Sequence, residues 1–156
     1  MESFFSGLYV IYILVALFVL FALVARAPIM GYRVRKKIFA EPWIEANKFY
    51  EEWPTKGGLR DNDCLGVYML LVFDHPVTDG NYSDYENVFV GKAAKAYKGA
   101  YAQLVGRGNR QIYKDFKNPD KYVYIQARFY HKDDVDRMER TLAGSLKAEK
   151  SYNAEK

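Results

Sequence analysis

The chain has 156 residues, a formal net charge of +4 and 50% hydrophobic residues, with 27% charged and 17% aromatic. That length fits one compact domain with an appendage and excludes a large multidomain enzyme. The charged and aromatic fractions exclude a disordered chain and a polytopic membrane protein. One cysteine, Cys64, rules out an internal disulfide and a cysteine-based zinc cluster, and His75 and His131 are too few for a histidine-rich metal site.

The first element is apolar. No charge occurs from Ser3 to Ala25, and Leu8 to Ala25 reads LYVIYILVALFVLFALVA. Such a run is just long enough to cross a bilayer core of roughly 30 Å, which predicts a transmembrane helix over 8–25 after a short extracytoplasmic segment, 1–7. A cleaved signal peptide needs a basic start, and only Glu2 precedes the run. Its nearest small-x-small site, Ala25-Arg26-Ala27, contains an arginine and is followed by Pro28. Arg26, Arg33, Arg35, Lys36 and Lys37 follow the run and nothing basic precedes it, so the positive-inside rule places the carboxyl side in the cytoplasm. The expectation is a single-pass protein of the cell inner membrane, with the lipid bilayer as a partner through this helix and anionic headgroups beside the basic cluster.

Residues 26–62 read as a basic juxtamembrane segment and an amphipathic connector. IFAEPWIEANKFYEEW carries aromatic and aliphatic residues at helical spacing, Pro54 ends it, and Gly57-Gly58 form a joint. From residue 63 to 156 the pattern is that of a compact domain. Leu65–Phe73 is a buried strand, His75–Tyr85 a long hairpin loop and Asn87–Gly91 a second strand. Lys92–Leu104 reads as a helix weakened by Gly99, Gly106–Asn109 as a turn and Gln111–Phe116 as a short helix. Tyr122–Tyr130 alternates as a strand, and Asp133 or Asp134 is positioned to cap a last helix reaching about Ala148. The order β-β-α-(α)-β-α predicts an α+β domain around a mostly antiparallel, three-stranded sheet.

Gly66-Val67-Tyr68 and Phe89-Val90-Gly91, separated by a long hairpin loop, resemble the two tripeptides of the GIY-YIG nuclease family. Gly106-Arg107-Gly108-Asn109 with Ile112-Tyr113 and Asp115 resembles a segment of one bacterial branch. Asp84-Tyr85-Glu86-Asn87 also fits that branch, and Glu139 and Tyr152-Asn153 match the family's order and spacing. The resemblance spans about residues 63–154. It implies a metal-dependent endonuclease that cleaves nucleic-acid phosphodiesters with one divalent cation, Mg²⁺ or Mn²⁺. It assigns Glu139 as metal ligand, Tyr68 to proton transfer and Asn153 to orienting the site through its amide. A hard cation needs a carboxylate and polarises a phosphoryl oxygen, and a positioned acid/base handles the proton of the attacking water.

Each of these residues also has a purely structural reading. Glu139 lies on or beside the apolar stripe Val135, Met138, Leu142 and Leu146, where a carboxylate needs either a metal or a basic partner. Tyr68 is equally a strand aromatic, and free tyrosine titrates near about 10, too high for a base without help. Asn153 is equally a helix-terminating residue in a tail.

Two departures from the pattern bear on activity. Phe89 replaces the second family tyrosine, and the position eight residues after Gly91, where the family has an arginine, is Gly99. Losing a cation aimed at the transition state costs about a hundred- to thousandfold in rate. Lys95, one helical turn before Gly99, is the substitute cation that the sequence offers, although lysine replaces a bidentate arginine poorly. Between Gly91 and Lys121 eight basic residues face only Asp115 and Asp120. Lys92, Lys95, Lys98, Arg107, Arg110 and Lys114 are therefore candidate nucleic-acid contacts, with DNA placed ahead of RNA. The expectation is a membrane-anchored endonuclease, weakened or inactive, with defence against incoming DNA as its setting. The rivals are a noncatalytic nucleic-acid-binding module, a protein-docking module, and a domain whose protein partner supplies the missing arginine.

Overall fold

The structure is a computed structural model that describes residues 2–55 and 57–155, with side chains described over 12–22, 31–55 and 57–154. In chain order it contains helix α1 (Glu2–Ala40), strand β1 (Ile44–Glu45), helix α2 (Ala46–Glu52), and strands β2 (Gly66–Phe73) and β3 (Asn87–Ala93). Helices α3 (Ala96–Leu104) and α4 (Arg110–Lys117), strand β4 (Tyr122–Phe129) and helix α5 (Val135–Ser145) follow, with 3₁₀ turns at Ala148–Lys150 and Tyr152–Glu155.

The sheet is antiparallel throughout, in the order β1-β4-β2-β3. It has four strands, not the expected three. The fourth is the two-residue β1, in which Ile44 pairs with Ile125 and Glu45 with Tyr124. Two residues are too few to establish a period of two, which is why the segment read as connector. β2 is buried along its whole length because the sheet is covered on both faces. Val67, Met69, Leu71 and Phe73 point to one side, against Ile38 and Trp43, against Val135 and Leu142 of α5 and against Leu146 just after it. Tyr68, Leu70 and Val72 point to the other, against Phe49 and Trp53, against Ala96, Ala100 and Leu104 of α3, and against Ile112.

The expected transmembrane helix is overturned. No helix is long and apolar enough to cross a membrane among the described residues. The apolar run belongs instead to α1, a 39-residue helix that continues through the basic cluster. The side chains expected at 1–7, at the ends of the span (8–11 and 23–25) and at the start of the basic segment (26–30) lie outside the described residues.

The carboxyl end of α1 is tied to the sheet. Buried Gln126 directs its amide nitrogen to the carbonyls of Ile38, Glu41 and Pro42 at 3.3, 3.4 and 3.3 Å. Arg128 pairs with Glu41 at 2.8 Å and reaches the Lys37 carbonyl at 3.4 Å. Helix-end carbonyls have no partner within the helix, and these side chains supply donors. α3 is shorter than the sequence predicts. β3 runs on through Lys92 to Ala93, and Lys95 is an extended N-cap at φ −134° and ψ 104°. α5 stops at Ser145 because Lys147 adopts a left-handed conformation, φ 56°. Asp134 precedes α5 but bonds Arg137 at 2.6 Å instead of capping the helix.

Phe49 of α2 is fully buried in the same core as Tyr68 and Leu70. Phe49→Ala should cost about 3–5 kcal/mol in a single cooperative urea transition. A change under about 1 kcal/mol would mean that α2 packs loosely on the sheet.

Candidate functional site

The two tripeptides meet across the β2–β3 pair, with Tyr68 opposite Gly91 and Leu70 opposite Phe89. Tyr68 and Phe89 therefore share a face, with ring centroids 6.0 Å apart. The Tyr68 ring fills the space between two glycines. A Cβ at Gly91 would lie 2.7 Å from both Cζ and the hydroxyl oxygen of Tyr68, and one at Gly99 would lie 2.6 Å from its Cε1. Gly99 is thus the surface of α3 that lets the helix close on Tyr68. An arginine there would have to displace the ring.

The Tyr68 hydroxyl accepts a hydrogen bond from Gln103 Nε2 at 2.9 Å, and Gln103 Oε1 accepts from the Asn109 backbone N–H at 2.7 Å. Asn109 in turn caps α4, its Oδ1 accepting from Gln111 and Ile112 at 2.8 and 3.4 Å. Its Nδ2 reaches the Tyr152 carbonyl at 3.1 Å. The sequence places Tyr101 and Gln103 where the resembling family often has a histidine and gives Gln103 no role of its own. Its signal, a polar residue on the apolar face of α3, becomes legible only once the helix is phased by Ala96, Ala100 and Leu104.

Burial holds the Tyr68 phenol above its ordinary range. The Gln103 bond opposes that shift, and the negative charge of Glu139 adds to it. A phenol so placed keeps its proton near neutrality. Glu139 on α5 is 17% exposed and lies 3.0 Å from Lys92 Nζ, which also bonds Asp136 at 2.7 Å. Asp136, then Glu139, raise the Lys92 pKa, and Lys92 lowers that of Asp136. The ammonium thus occupies the position between the two carboxylates. No group of three or more His, Cys, Asp or Glu residues is gathered among the described residues, and the carboxylate that the resemblance assigns to a divalent cation, Glu139, stands beside the Lys92 ammonium. Lys92, 44% exposed, thus pairs with two carboxylates of α5.

Asn153 is fixed by the edge of the sheet. It accepts from the Val90 N–H at 2.9 Å and donates to the Val90 carbonyl at 2.7 Å, while Ser151 Oγ accepts from the Val88 N–H at 2.9 Å. These side chains satisfy the open edge of β3. The Tyr152 hydroxyl donates to Asp115, and burial followed by that acceptor pushes its pKa up.

Glu139, Lys92 and Asp136 are therefore brought together, with the charge of Glu139 bearing on the Tyr68 phenol and Asn153 on the edge of β3. Lys95 is not among them. It lines a pocket with Trp53, Pro54, Arg60, Lys98 and Tyr101, and no hydrogen bond or ion pair links it to Tyr68, Glu139 or Asn153 among the described residues. Arg107, Arg110 and Lys114 are exposed on the α3–α4 turn and on α4.

Gly99→Ala should destabilise by about 1–3 kcal/mol through overpacking against Tyr68, read from denaturant midpoints. Unchanged stability would mean that the contact relaxes freely. Because the folded state raises the Tyr68 pKa, its contribution is intact below the unfolded value near 10 and is lost as pH rises through the folded value. Tyr68→Phe should therefore lose less stability than the parent between about pH 9 and 12. Parallel profiles would contradict the burial of that hydroxyl.

No protein-family model matches the sequence, and no curated protein or solved structure matches the chain.

Proposed function

We propose that residues 63–156 form a GIY-YIG-type module that binds nucleic-acid phosphates and does not cut them. The observation that carries this reading is the contact of Gly99 with the Tyr68 ring, which leaves no side chain where the family's transition-state cation would stand. The antiparallel pairing of Gly66-Val67-Tyr68 with Gly91-Lys92-Ala93 supports the family. The Lys92–Glu139 pair supports the loss of chemistry.

Binding rests on the α3–α4 surface. Arg107, Arg110 and Lys114 are exposed, and none pairs with a carboxylate among the described residues. Such cations act on phosphates by charge, with affinity that falls steeply with salt and little dependence on sequence. DNA and RNA both offer this chemistry, and DNA is placed first.

A second reading, endonuclease, is favoured by one observation. Glu139 is only 17% exposed and close enough to Tyr68 for its charge to bear on the phenol, as a hydrolytic pair would require.

The test is one set of assays on the full chain. Fluorescence anisotropy with labelled single- and double-stranded DNA and with RNA should give affinity that falls about tenfold or more between 50 and 200 mM salt. Combined Arg107→Gln, Arg110→Gln and Lys114→Gln should reduce the salt slope by about 2–3. Incubation with Mg²⁺ or Mn²⁺ should leave supercoiled plasmid intact. Cutting that Glu139→Gln abolishes would establish the endonuclease, and no affinity even at low salt would overturn both readings.

A further inference from the structure

The flank of α3 that faces away from Tyr68 carries a second concave feature. Trp53, Pro54, Arg60, Lys95, Lys98 and Tyr101 enclose a pocket of about 310 Å³. That volume is at the lower end of small-molecule sites, ~300–1,000 Å³, which suits a group of mononucleotide size and not a duplex. Half of its residues are cationic and none is acidic.

The way the chain builds the pocket explains why the charges converge. Pro54 follows the end of α2, and Gly57 and Gly58 then take φ values of 105° and 65°, a reversal that side chains disfavour. The turn returns Arg60 to Pro54, whose carbonyl accepts from Arg60 Nη1 at 3.4 Å. Among the described residues that single long contact leaves most of the guanidinium fork unused. Lys95 and Lys98 enter from the first turn of α3 and pair with no carboxylate among the described residues. The wall is aromatic. Tyr101 stacks on Tyr50 at 5.5 Å and leans on Trp53 at 6.0 Å, so its ring faces are already occupied by neighbours. These rings supply a low-dielectric side to the pocket, which strengthens charge interactions.

The helix amides do not contribute. Buried Asp63 accepts from the Tyr97 and Lys98 N–H groups, each at 2.9 Å, and takes up the amino terminus of α3. Any affinity for an anion therefore resides in Arg60, Lys95 and Lys98. Three gathered like charges repel one another until an anion enters. A dianion offsets them better than the single charge of a carboxylate or an internal phosphodiester, and a phosphomonoester carries about −1.5 to −2 near neutrality.

We propose that this pocket binds a phosphomonoester through Arg60, Lys95 and Lys98. The ligand's source is either a free mononucleotide or the 5′-phosphorylated end of a strand. The site stands apart from the Tyr68–Glu139 cluster and does not rest on the nucleic-acid reading above.

Isothermal titration calorimetry on the full chain tests it, with adenosine 5′-monophosphate, adenosine, inorganic phosphate, and a short oligonucleotide bearing a 5′-phosphate or a 5′-hydroxyl. The monophosphate should bind and inorganic phosphate should compete, while adenosine should not bind. Arg60→Gln and Lys98→Gln should each weaken the monophosphate about tenfold, and Lys150→Gln should not. Circular dichroism verifies the fold of each variant. A preference for the 5′-phosphorylated strand assigns the strand end as source. Equal oligonucleotides with a binding monophosphate assign the free nucleotide. The proposal is overturned if the monophosphate binds no tighter than adenosine, or if folded Arg60→Gln and Lys98→Gln bind as the parent does.

Discussion

The Tyr68 ring, held between Gly91 and Gly99, is the contact on which the rest of the site depends. It sets how closely α3 approaches the sheet, because the helix carries no side chain at the point of closest approach. It also directs a hydroxyl to Gln103, and through Gln103 and Asn109 it links the centre of the sheet to the start of α4 and to the carboxyl-terminal turn. A buried hydroxyl demands such a partner. The same contact fills the space beside Gly99, where any larger side chain would have to displace the ring.

Around that contact the molecule is layered. β2 is apolar at every position because α1 and α5 cover one face and α2 and α3 the other. The segment before residue 63 is part of this arrangement. It contributes the fourth strand, the buried rings of Phe49 and Trp53, and the carbonyls that Gln126 satisfies. The pocket beside α3 is built jointly by this segment and the domain that follows it.

The basic residues divide by partner. Lys92 is neutralised by Asp136 and Glu139, Lys121 by Glu86 and Arg128 by Glu41. Lys95, Lys98 and Arg60 share a pocket that no acid lines. The basic residues therefore separate into those paired with a carboxylate and those with none among the described residues, a division set by distance and not by composition.

The sequence by itself determined the local elements and their types. The apolar run Leu65–Phe73 and the alternation from Tyr122 each follow from patterns within one segment. It also singled out Gly99 as the empty position. What lay beyond it were properties that require two distant segments to meet. β1 exists only because β4 offers an edge to Ile44 and Glu45. The role of Gln103, the commitment of Lys92 to Glu139 and the departure of Lys95 to another pocket are likewise tertiary. Periodicity reports which face of an element is buried, but only packing decides which charge stands opposite which.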